Sequence, residues 1–494
     1  VFEVIWFTVW QATLSTLICL VLGVPGAYLL YRKSFRARNL LRSVITVPFV
    51  LPTIVVAIGF TAFRNEHKFY SDFGIDWPYT NLVYWIVVAH VFMNYSLVVR
   101  SLGSLWSTLD AETEEAAQLA GAGRLRTVWS IVLPQLKPAL VSSAALVFLF
   151  SSTSFGIVLV LGAGEVNSIE TEIYSAATQF LDLPKASLLA LIQIALTVLA
   201  FLVSERFSKG AVSIELAEDS NRLQALDRRD WPAILVSALV ILAVIVLPLV
   251  LVLRKAFEVG AGADLRFGFD NFVNLLGRGP RDLLNITVLD AGLNSLRNLL
   301  VSASIAVVLG VLVSYLLARR AKRAAALDLV FLMPIGVSSV VLGFGYLISF
   351  GGGPLPLRAS WLVVPLVQSL IALPIVIRLV YPALIAIDSE VTDAARTDGA
   401  STWQLATLIE LPMIGAVLRT AMGFAAIVSI GEFGAAALLA YGDQATLPTV
   451  LYRLISRPGA ESYGMAMATS AILIVLTIAV ITALSLRRTQ RQAS

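Results

Sequence analysis

The feature of this chain that most restricts its fold is a series of apolar stretches, each long enough to cross a bilayer as a helix. In hydrocarbon every backbone polar group needs a partner within the protein, and a helix provides one for each. Of the residues, 58% are hydrophobic and only 14% are charged, which leaves no room for a large soluble domain. We therefore predict an all-α, polytopic membrane protein.

Eleven spanning helices are predicted, and one charged stretch divides them. The helices fall at about residues 4–31, 40–62, 82–106, 138–162, 185–204, 231–256, 293–318, 327–350, 361–386, 414–440 and 464–486. The charged stretch covers 205–230, between the fifth helix and the sixth. We predict a first half at 1–204, a linker at 205–230 and a second half at 231–494.

The orientation follows from basic residues at the ends of three helices, because positively charged loops stay on the cytoplasmic side. These residues are Arg32, Lys33, Arg36 and Arg38, then Arg319, Arg320, Lys322 and Arg323, then Arg487, Arg488 and Arg491. The linker and the C-terminus are accordingly predicted to be cytoplasmic, and Val1 is predicted to lie outside.

The two halves carry an internal repeat. The stretch that begins at Ala12 resembles the stretch that begins at Leu299, and the second lies 287 residues after the first. Later landmarks keep an offset of 278 residues. The matched pairs are Gly23 with Gly310, Tyr28 with Tyr315, Arg32 with Arg319, Phe155-Gly156 with Phe433-Gly434, and Tyr174 with Tyr452. Several polar and glycine landmarks in one register indicate a duplication.

A second repeated pattern lies in the loop after the third predicted helix of the first half and in the loop after the fourth predicted helix of the second half. It reads E/D-A-A, three residues, Gly, nine residues, I-x-L-P. The first copy consists of Glu115, Ala116, Ala117, Gly121, Ile131, Leu133 and Pro134, and the second of Asp393, Ala394, Ala395, Gly399, Ile409, Leu411 and Pro412. Alanine and glutamate favour a short helix, and glycine permits a tight turn after it. We predict two matching helical segments at the cytoplasmic surface.

This paired pattern resembles the signature of binding-protein-dependent ABC importer permeases. The resemblance implies two tandem, parallel permease repeats of the type I ABC importer fold in the bacterial inner membrane. The first repeat would lack its first helix, so that twelve helices are expected where about eleven are seen. It also implies that the two segments couple to two cytoplasmic ATPase subunits, and that an extracytoplasmic binding protein delivers the solute. Asp393 has a shorter reach than glutamate and predicts a different second contact.

The chain shows no sign of chemistry of its own. It contains no GxxxxGK[ST] loop for nucleotide phosphates and no HExxH motif. We therefore predict a permease subunit rather than an enzyme, with ATP hydrolysis on a separate polypeptide, no cofactor, no metal site and no nucleic-acid partner.

Polar residues within the apolar helices are the candidates for the solute pathway, since they are costly in lipid and tend to face the bundle interior. They are Glu432, its repeat equivalent Ser154, His90, Asn94, Gln368 and Ser429. His90 and Asn94 are four residues apart and share a helix face. A gate or a structural hydrogen bond is an equally open interpretation for Glu432, and packing is an open one for His90.

The nature of the solute is indicated by resemblance. The segments that begin at Ser154 and Ile427 resemble those of thiamine transporter permeases, which implies thiamine or a related compound. Ferric iron permeases share the same layout and are the alternative. A secondary transporter driven by an ion gradient is a remote alternative, because such carriers lack the paired pattern and tend to place ionisable residues in both halves.

Overall fold

The computed structural model describes residues 1–66, 81–109, 116–117, 119–208, 223–260, 264–279, 284–319, 337–350 and 360–492. The chain forms two compact units. The first comprises Val1–Ala176 and Phe180–Lys255, and the second comprises Ala177–Gln179 and Ala256–Ser494. Helices dominate both units, and each strand in the described residues is two residues long. The predicted all-α membrane fold is confirmed.

The described residues of the first unit form twelve α-helices and two short strands. In chain order they are α1 (Phe2–Arg32), β1 (Lys33–Ser34), α2 (Arg38–Val44), α3 (Val47–Val50), α4 (Thr53–Arg64), α5 (Leu82–Thr108), α6 (Arg124–Thr127), α7 (Leu133–Ser152), α8 (Phe155–Leu161), α9 (Ile169–Thr178), α10 (Leu183–Ser208), β2 (Gln224–Ala225), α11 (Trp231–Leu239) and α12 (Leu247–Ala256). π-Helical turns at Val128–Val132 and Val240–Val246 lead into α7 and α12, and a 3₁₀ turn covers Arg228–Asp230.

The second unit has the same character. Its elements are β3 (Glu258–Val259), β4 (Arg266–Phe267), α13 (Asp270–Val273), α14 (Val288–Arg319), α15 (Ser339–Phe350), α16 (Val363–Ile385), α17 (Ser389–Thr397), α18 (Thr402–Gln404), α19 (Leu411–Met413), α20 (Gly415–Gly431), α21 (Gly434–Leu439), α22 (Leu447–Ile455) and α23 (Ala460–Gln492). A π-helical turn covers Leu405–Glu410, and 3₁₀ turns cover Asn274–Leu276 and Gly442–Gln444.

The described residues contain eight helices that are long and apolar enough to cross a membrane, or ten if each of two bent pairs is one span. The bent pairs are Arg38–Val50 with Thr53–Arg64, at 105°, and Thr402–Met413 with Gly415–Gly431, at 74°. A shorter apolar helix covers Ser339–Ser349. These helices correspond one to one with the eleven predicted stretches, and residues 327–336 of the stretch 327–350 lie outside the described residues.

The bend in the second predicted helix has a local cause. Pro52 has no backbone N–H and disfavours helical backbone at the residue before it. Leu51 is accordingly extended, with φ −66° and ψ 141°, and α4 starts afresh at Thr53. The prediction of one continuous helix over 40–62 is therefore wrong in this detail.

Two other predicted helices are also interrupted at repeat-equivalent places. The helix predicted over 138–162 ends at Ser152, and α8 begins at Phe155. The helix predicted over 414–440 ends at Gly431, and α21 begins at Gly434. Both interruptions are two residues long and lie at the matched Phe-Gly pairs, and the average hydropathy of each stretch did not reveal them.

The duplication is visible in helix packing. Gly23 of α1 lies against Val98 of α5, and a Cβ at Gly23 would overlap the Val98 side chain. In the second unit Gly310 of α14 lies against Val376 of α16 in the same way. Both glycines thus permit a close approach of two long helices, which is a common role of small residues in membrane interfaces.

One hydrogen bond, at equivalent positions in the two units, also joins a short helix to a long one. The backbone N–H of Ile169 donates to Oγ1 of Thr8, and that of Leu447 donates to Oγ of Ser295, both at 2.9 Å. All four residues are buried. Each bond ties the start of a short helix, α9 or α22, to the N-terminal half of a long one.

Residues 231–255 pack in the first unit, although the predicted second half begins at 231. Val244 packs against an apolar cluster of α1, α5 and α7, and Val252 lies next to Gly59 of α4. Packing does not decide where the duplicated sequence begins, because a helix of one repeat can pack on the other. The boundaries 1–204, 205–230 and 231–494 therefore stay predictions.

A buried ion pair attaches the end of the predicted linker to the first unit. Lys33 Nζ lies 3.1 Å from Asp230 Oδ2, and the two side chains are 4% and 0% exposed. Strand β1 pairs with β2 in parallel, with Lys33 opposite Gln224. The segment 223–230 is thereby held against the chain that follows α1.

Candidate coupling segments and buried polar clusters

The second copy of the repeated loop pattern, 388–414, forms a helix, a glycine turn and a second helix. Asp388 caps the start of α17 by accepting a hydrogen bond from the backbone N–H of Glu390, at 3.0 Å. Ser401 and Gln404 form a capping box at the start of α18. Short polar side chains at these positions satisfy backbone donors that a helix start leaves unpaired. We call 388–414 the second coupling segment and 110–136 the first.

Gly121 and Gly399 occupy the turn in the two segments. Their φ angles are +87° and +85°, in the left-handed region that favours glycine. The residue after each glycine donates its backbone N–H to a carbonyl five residues back, at 3.0 Å: Ala122 to Ala117 and Ala400 to Ala395. This arrangement is typical of a helix that ends at a left-handed residue.

A π-helical turn follows in both segments and leads into the Leu-Pro pair. The N–H of Leu133 donates to the carbonyl of Val128, and the N–H of Leu411 donates to that of Ala406. The prolines that follow have no N–H, so a shift in the hydrogen-bond register disturbs fewer bonds there. Such turns are frequent at functional sites.

Those residues of the repeated pattern that the structure describes have the same degree of exposure at equivalent positions of the two segments. Ala116, Gly121 and Pro134 are exposed, and so are Ala394, Gly399 and Pro412, whereas Ala117, Ile131, Leu133, Ala395, Ile409 and Leu411 are partly buried. Asp393 is exposed and forms a surface ion pair with Arg396, at 3.2 Å. An exposed ion pair of this kind adds little to the stability of the fold, so the Asp393 carboxylate can exchange Arg396 for a partner at little cost. Glu115 lies outside the described residues.

Apolar side chains attach each segment to the long helices of its own unit. Val132 and Leu136 are buried with Leu102 and Trp106 of α5. Ile414 is buried with Val380 and Leu384 of α16, and Leu411 packs against this cluster. Each segment therefore presents one face outward and is anchored by the other.

Polar residues of the first unit form a buried cluster between α1, α5 and α7. His90 Nδ1 lies 3.2 Å from Ser15 Oγ, and Asn94 Nδ2 donates to Ser151 Oγ at 3.4 Å. Gln11 Nε2 donates to the carbonyl of Ser151 at 3.1 Å. Among the described residues, His90 Nε2 and Gln11 Oε1 have no hydrogen-bond partner. The predicted shared face of His90 and Asn94 thus points to a single cluster.

The second unit has a corresponding cluster between α14, α16 and α20. Gln368 Nε2 donates to the carbonyl of Ser429 at 3.2 Å, and the hydroxyls of Ser302 and Ser429 are 2.5 Å apart. Within the described part of the chain, the oxygens of the Gln368 and Asn298 side chains have no partner. Ala372, at the position equivalent to Asn94, contributes no polar group.

Glu432 belongs to a different arrangement, at the interruption between α20 and α21. Its two carboxylate oxygens accept hydrogen bonds from the backbone N–H groups of Ala435 and Ala436, at 2.7 and 3.2 Å. The side chain is buried and caps the first turn of α21. Ser154 is also buried, but its hydroxyl has no partner in the described residues. The two repeat-equivalent positions therefore differ in their bonding.

Four members of the clusters were not predicted from the sequence: Gln11, Ser15, Asn298 and Ser302. They lie in the strongly apolar helices α1 and α14, where single polar residues do not disturb the hydropathy pattern. The internal repeat could have indicated them. When the two halves are aligned with Gly23 on Gly310, Gln11 aligns with Asn298 and Ser15 aligns with Ser302. An extension of that register toward the N-terminus would have found them.

Two helical units, each with a surface segment of the same geometry, define a membrane permease with two tandem repeats. The chain belongs to the family described as "Binding-protein-dependent transport system inner membrane component", which matches residues 20–213 and 306–492. It is therefore a multi-pass permease of the ABC importer type. The family description itself implies that a binding protein is a partner.

Similar proteins of known function cover nearly the whole chain. A thiamine transport system permease protein of Escherichia coli (strain K12) is 27% identical over 466 residues, which are 92% of this chain and 83% of the relative. One of Brucella abortus (strain 2308) is 27% identical over 491 residues, 96% and 85% of the two chains. A ferric transport system permease protein of Actinobacillus pleuropneumoniae is 24% identical over 480 residues, 93% and 67%.

Proposed function

We propose that the two coupling segments dock on two separate cytoplasmic ATPase subunits, and that this permease passes a solute from one external binding protein. The observation that supports this most is the geometry common to both segments: a left-handed glycine, the same backbone hydrogen bond after it, and a π-helical turn before Leu-Pro. Both segments keep these three features although other polar contacts of the two units differ, which favours a common partner.

Large exposed side chains on these segments are the proposed contacts with the ATPase. Leu119 and Trp129 are 89% and 69% exposed in the first segment, and Trp403 and Leu408 are 76% and 70% exposed in the second. Apolar groups grouped on an exposed surface favour a protein interface. The neighbouring Asp393 carboxylate offers a charged group to an arginine of the partner.

Cross-linking from single cysteines tests the docking. The native Cys19 is buried, so a cysteine-specific reagent should not react with it in the folded protein. We expect Trp129→Cys and Trp403→Cys to cross-link to the ATPase in the assembled complex. Phe180→Cys is the matched control, because Phe180 is 72% exposed and lies in the loop before α10. Cross-linking from Phe180→Cys alone would contradict the proposal.

We also propose that the coupling segments, the segment 223–230 and the C-terminus lie on the cytoplasmic side. The basic residues after α1 support this orientation, since positive loops are retained inside. A membrane-impermeant thiol reagent applied to intact cells should therefore spare Trp403→Cys and label Phe180→Cys. The reverse labelling would overturn the orientation.

Thiamine or a related compound is the proposed solute. Two observations support this. The alignments with the thiamine permease relatives cover 92% and 96% of the chain and so include both units, and the segments that begin at Ser154 and Ile427 resemble those of thiamine permeases. Ferric iron is the second candidate, because a ferric permease relative covers 93% of the chain. Calorimetry on the cognate binding protein decides between them: nanomolar to micromolar binding of thiamine supports the first, and binding of ferric ion alone supports the second.

For the pathway, the proposed residues are His90, Asn94 and Ser154 in the first unit, and Gln368, Ser429 and Glu432 in the second. Three of their buried polar atoms have no partner in the described residues: His90 Nε2, Ser154 Oγ and Gln368 Oε1. A polar solute could form hydrogen bonds with these atoms at low cost. Glu432 could contact a solute only if it released the backbone of α21.

A further inference from the structure

Two repeat-equivalent tyrosines hydrogen-bond to different carboxylates. In the first unit, Tyr28 Oη donates to Asp230 Oδ1 at 2.9 Å. In the second unit, Tyr315 Oη donates to Glu410 Oε2 at 2.7 Å. Tyr28 and Tyr315 both lie in the last two turns of a long helix, α1 or α14. The tyrosine positions are matched, but their partners come from unrelated places in the chain.

The difference originates at the position before Leu-Pro in each coupling segment. That position is Val132 in the first segment and Glu410 in the second, 278 residues later. Val132 is 1% exposed in the apolar cluster against which Tyr28 packs, and it has no side-chain acceptor to offer. The acceptor for Tyr28 is instead Asp230, which also pairs with Lys33.

The second segment is consequently joined to α14 by a directed bond. Glu410 lies at the end of the π-helical turn, two residues before Pro412, and its partner lies on a helix of 32 residues. A hydrogen bond to a charged acceptor is stronger and more directional than an apolar contact. In the first unit, Val132 belongs to an apolar cluster that includes Cys19 and Ala27 of α1, and Arg32 of α1 donates to the carbonyl of Leu109, directly before the first segment, at 3.0 Å.

We propose that Tyr315 and Glu410 are positioning residues that fasten the second coupling segment to α14. This rests on the coupling role proposed above. Motion at the second segment would reach α14 through the Tyr315–Glu410 bond. In the first unit, the equivalent tyrosine holds the segment 223–230 instead.

The test uses the complete complex in proteoliposomes, with its ATPase and binding protein, and measures solute uptake per ATP hydrolysed. Tyr315→Phe removes the donor, Glu410→Val installs the residue of the first segment, and Glu410→Gln keeps an acceptor. We expect the first two to lower uptake per ATP by about tenfold, the equivalent of one charged hydrogen bond. Glu410→Gln should stay near the wild type, and the double variant Tyr315→Phe/Glu410→Val should be no worse than either single one.

Tyr28→Phe is the matched control, because it keeps the ring and removes the equivalent hydroxyl, which donates to Asp230 in the segment 223–230; uptake per ATP should not change. Unchanged uptake per ATP in Tyr315→Phe and Glu410→Val, or additive losses in the double variant, would overturn the positioning role alone. A wild-type complex without ATP-dependent uptake would instead overturn the coupling function. If Tyr315→Phe does not assemble, the comparison of Glu410→Gln with Glu410→Val decides.

Discussion

At the scale of single residues, the backbone conformation, and not a lack of space for a side chain, is the reason why glycine suits positions 121 and 399. Both have positive φ angles, and in the described part of the chain no atom beyond their chain neighbours lies within 4 Å of the place where a Cβ would stand. A side chain at either position would therefore meet strain in the backbone rather than a clash. For most side chains the left-handed region costs about 1–2 kcal/mol, and asparagine tolerates it better.

We predict that Gly399→Val distorts the turn of the second coupling segment and lowers ATP-dependent uptake, whereas Gly399→Asn retains most of it. Gly123→Ala is the control, since Gly123 also has open space around it but has no positive φ. Uptake assays on membranes with equal amounts of each variant provide the measurement. Equal activity of Gly399→Val and Gly123→Ala would show that the left-handed turn is not required.

Glu432 is predicted to act first as a helix cap. Glu432→Ala leaves two buried N–H groups of α21 without their acceptor and should lower the free energy of unfolding by about 1–3 kcal/mol. Glu432→Gln keeps one acceptor oxygen and should lose less. Ser154→Ala is the repeat-matched control and should have almost no effect.

Thermal unfolding in detergent measures these differences. A melting temperature of Glu432→Ala equal to that of the wild type would contradict the capping role. A raised KM for thiamine in Glu432→Gln, with an unchanged melting temperature, would add a direct contact with the solute.

At the scale of helices, close packing of long helices at a glycine is repeated in the two units. Gly310→Val should force α14 away from Val376 of α16 and cost about 1–3 kcal/mol in stability. Val376→Ala should recover part of the loss in the double variant, because it removes the overlapping methyl groups. Gly345→Ala serves as control, since none of the described residues beyond its chain neighbours places an atom within 4 Å of its missing Cβ. A double variant no more stable than Gly310→Val would contradict this packing account.

The attachment of 223–230 to the first unit depends on the Lys33–Asp230 pair. Asp230→Asn leaves the buried Lys33 ammonium without its counter-charge and should cost about 3–5 kcal/mol. Lys33→Met combined with Asp230→Asn should cost less, because no unpaired charge stays buried. Melting temperatures of the three variants test this order. A double variant less stable than the Asp230→Asn single variant would refute it.

Local patterns in the sequence predicted local structure well. The spacing of Gly121 and Gly399 after helix-favouring residues predicted a turn, and both glycines adopt it. The four-residue spacing of His90 and Asn94 predicted a common face, and both residues point to one cluster. Hydropathy located eleven apolar helices, because burial in lipid is a property of stretches and not of single residues.

The contacts that could not be predicted join residues distant in sequence. Tyr28 and Asp230 are 202 residues apart, and nothing in either local pattern specifies the other. The interruptions at Ser154 and Glu432 were missed because each is only two residues long and lies within a stretch that is apolar on average. The packing of 231–255 in the first unit follows from tertiary contacts, which an alignment of two repeats does not contain.

At the scale of the whole molecule, two similar units retain a common framework and differ in selected polar contacts. The framework includes the glycine contacts of the long helices, the Thr8 and Ser295 hydrogen bonds and the turns of the coupling segments. The differences lie at Asn94 and Ala372, Ser154 and Glu432, and Val132 and Glu410. A duplicated permease can thus keep one fold twice while the polar contacts of its two halves diverge.

The most direct test of this account is uptake by proteoliposomes that contain the permease, its ATPase and its binding protein loaded with ligand, with ionophores present to collapse all ion gradients. The account predicts uptake that continues under these conditions and stops when ATP or the binding protein is omitted. Uptake that proceeds without ATP and disappears when the ion gradients collapse would contradict it and would identify a secondary transporter.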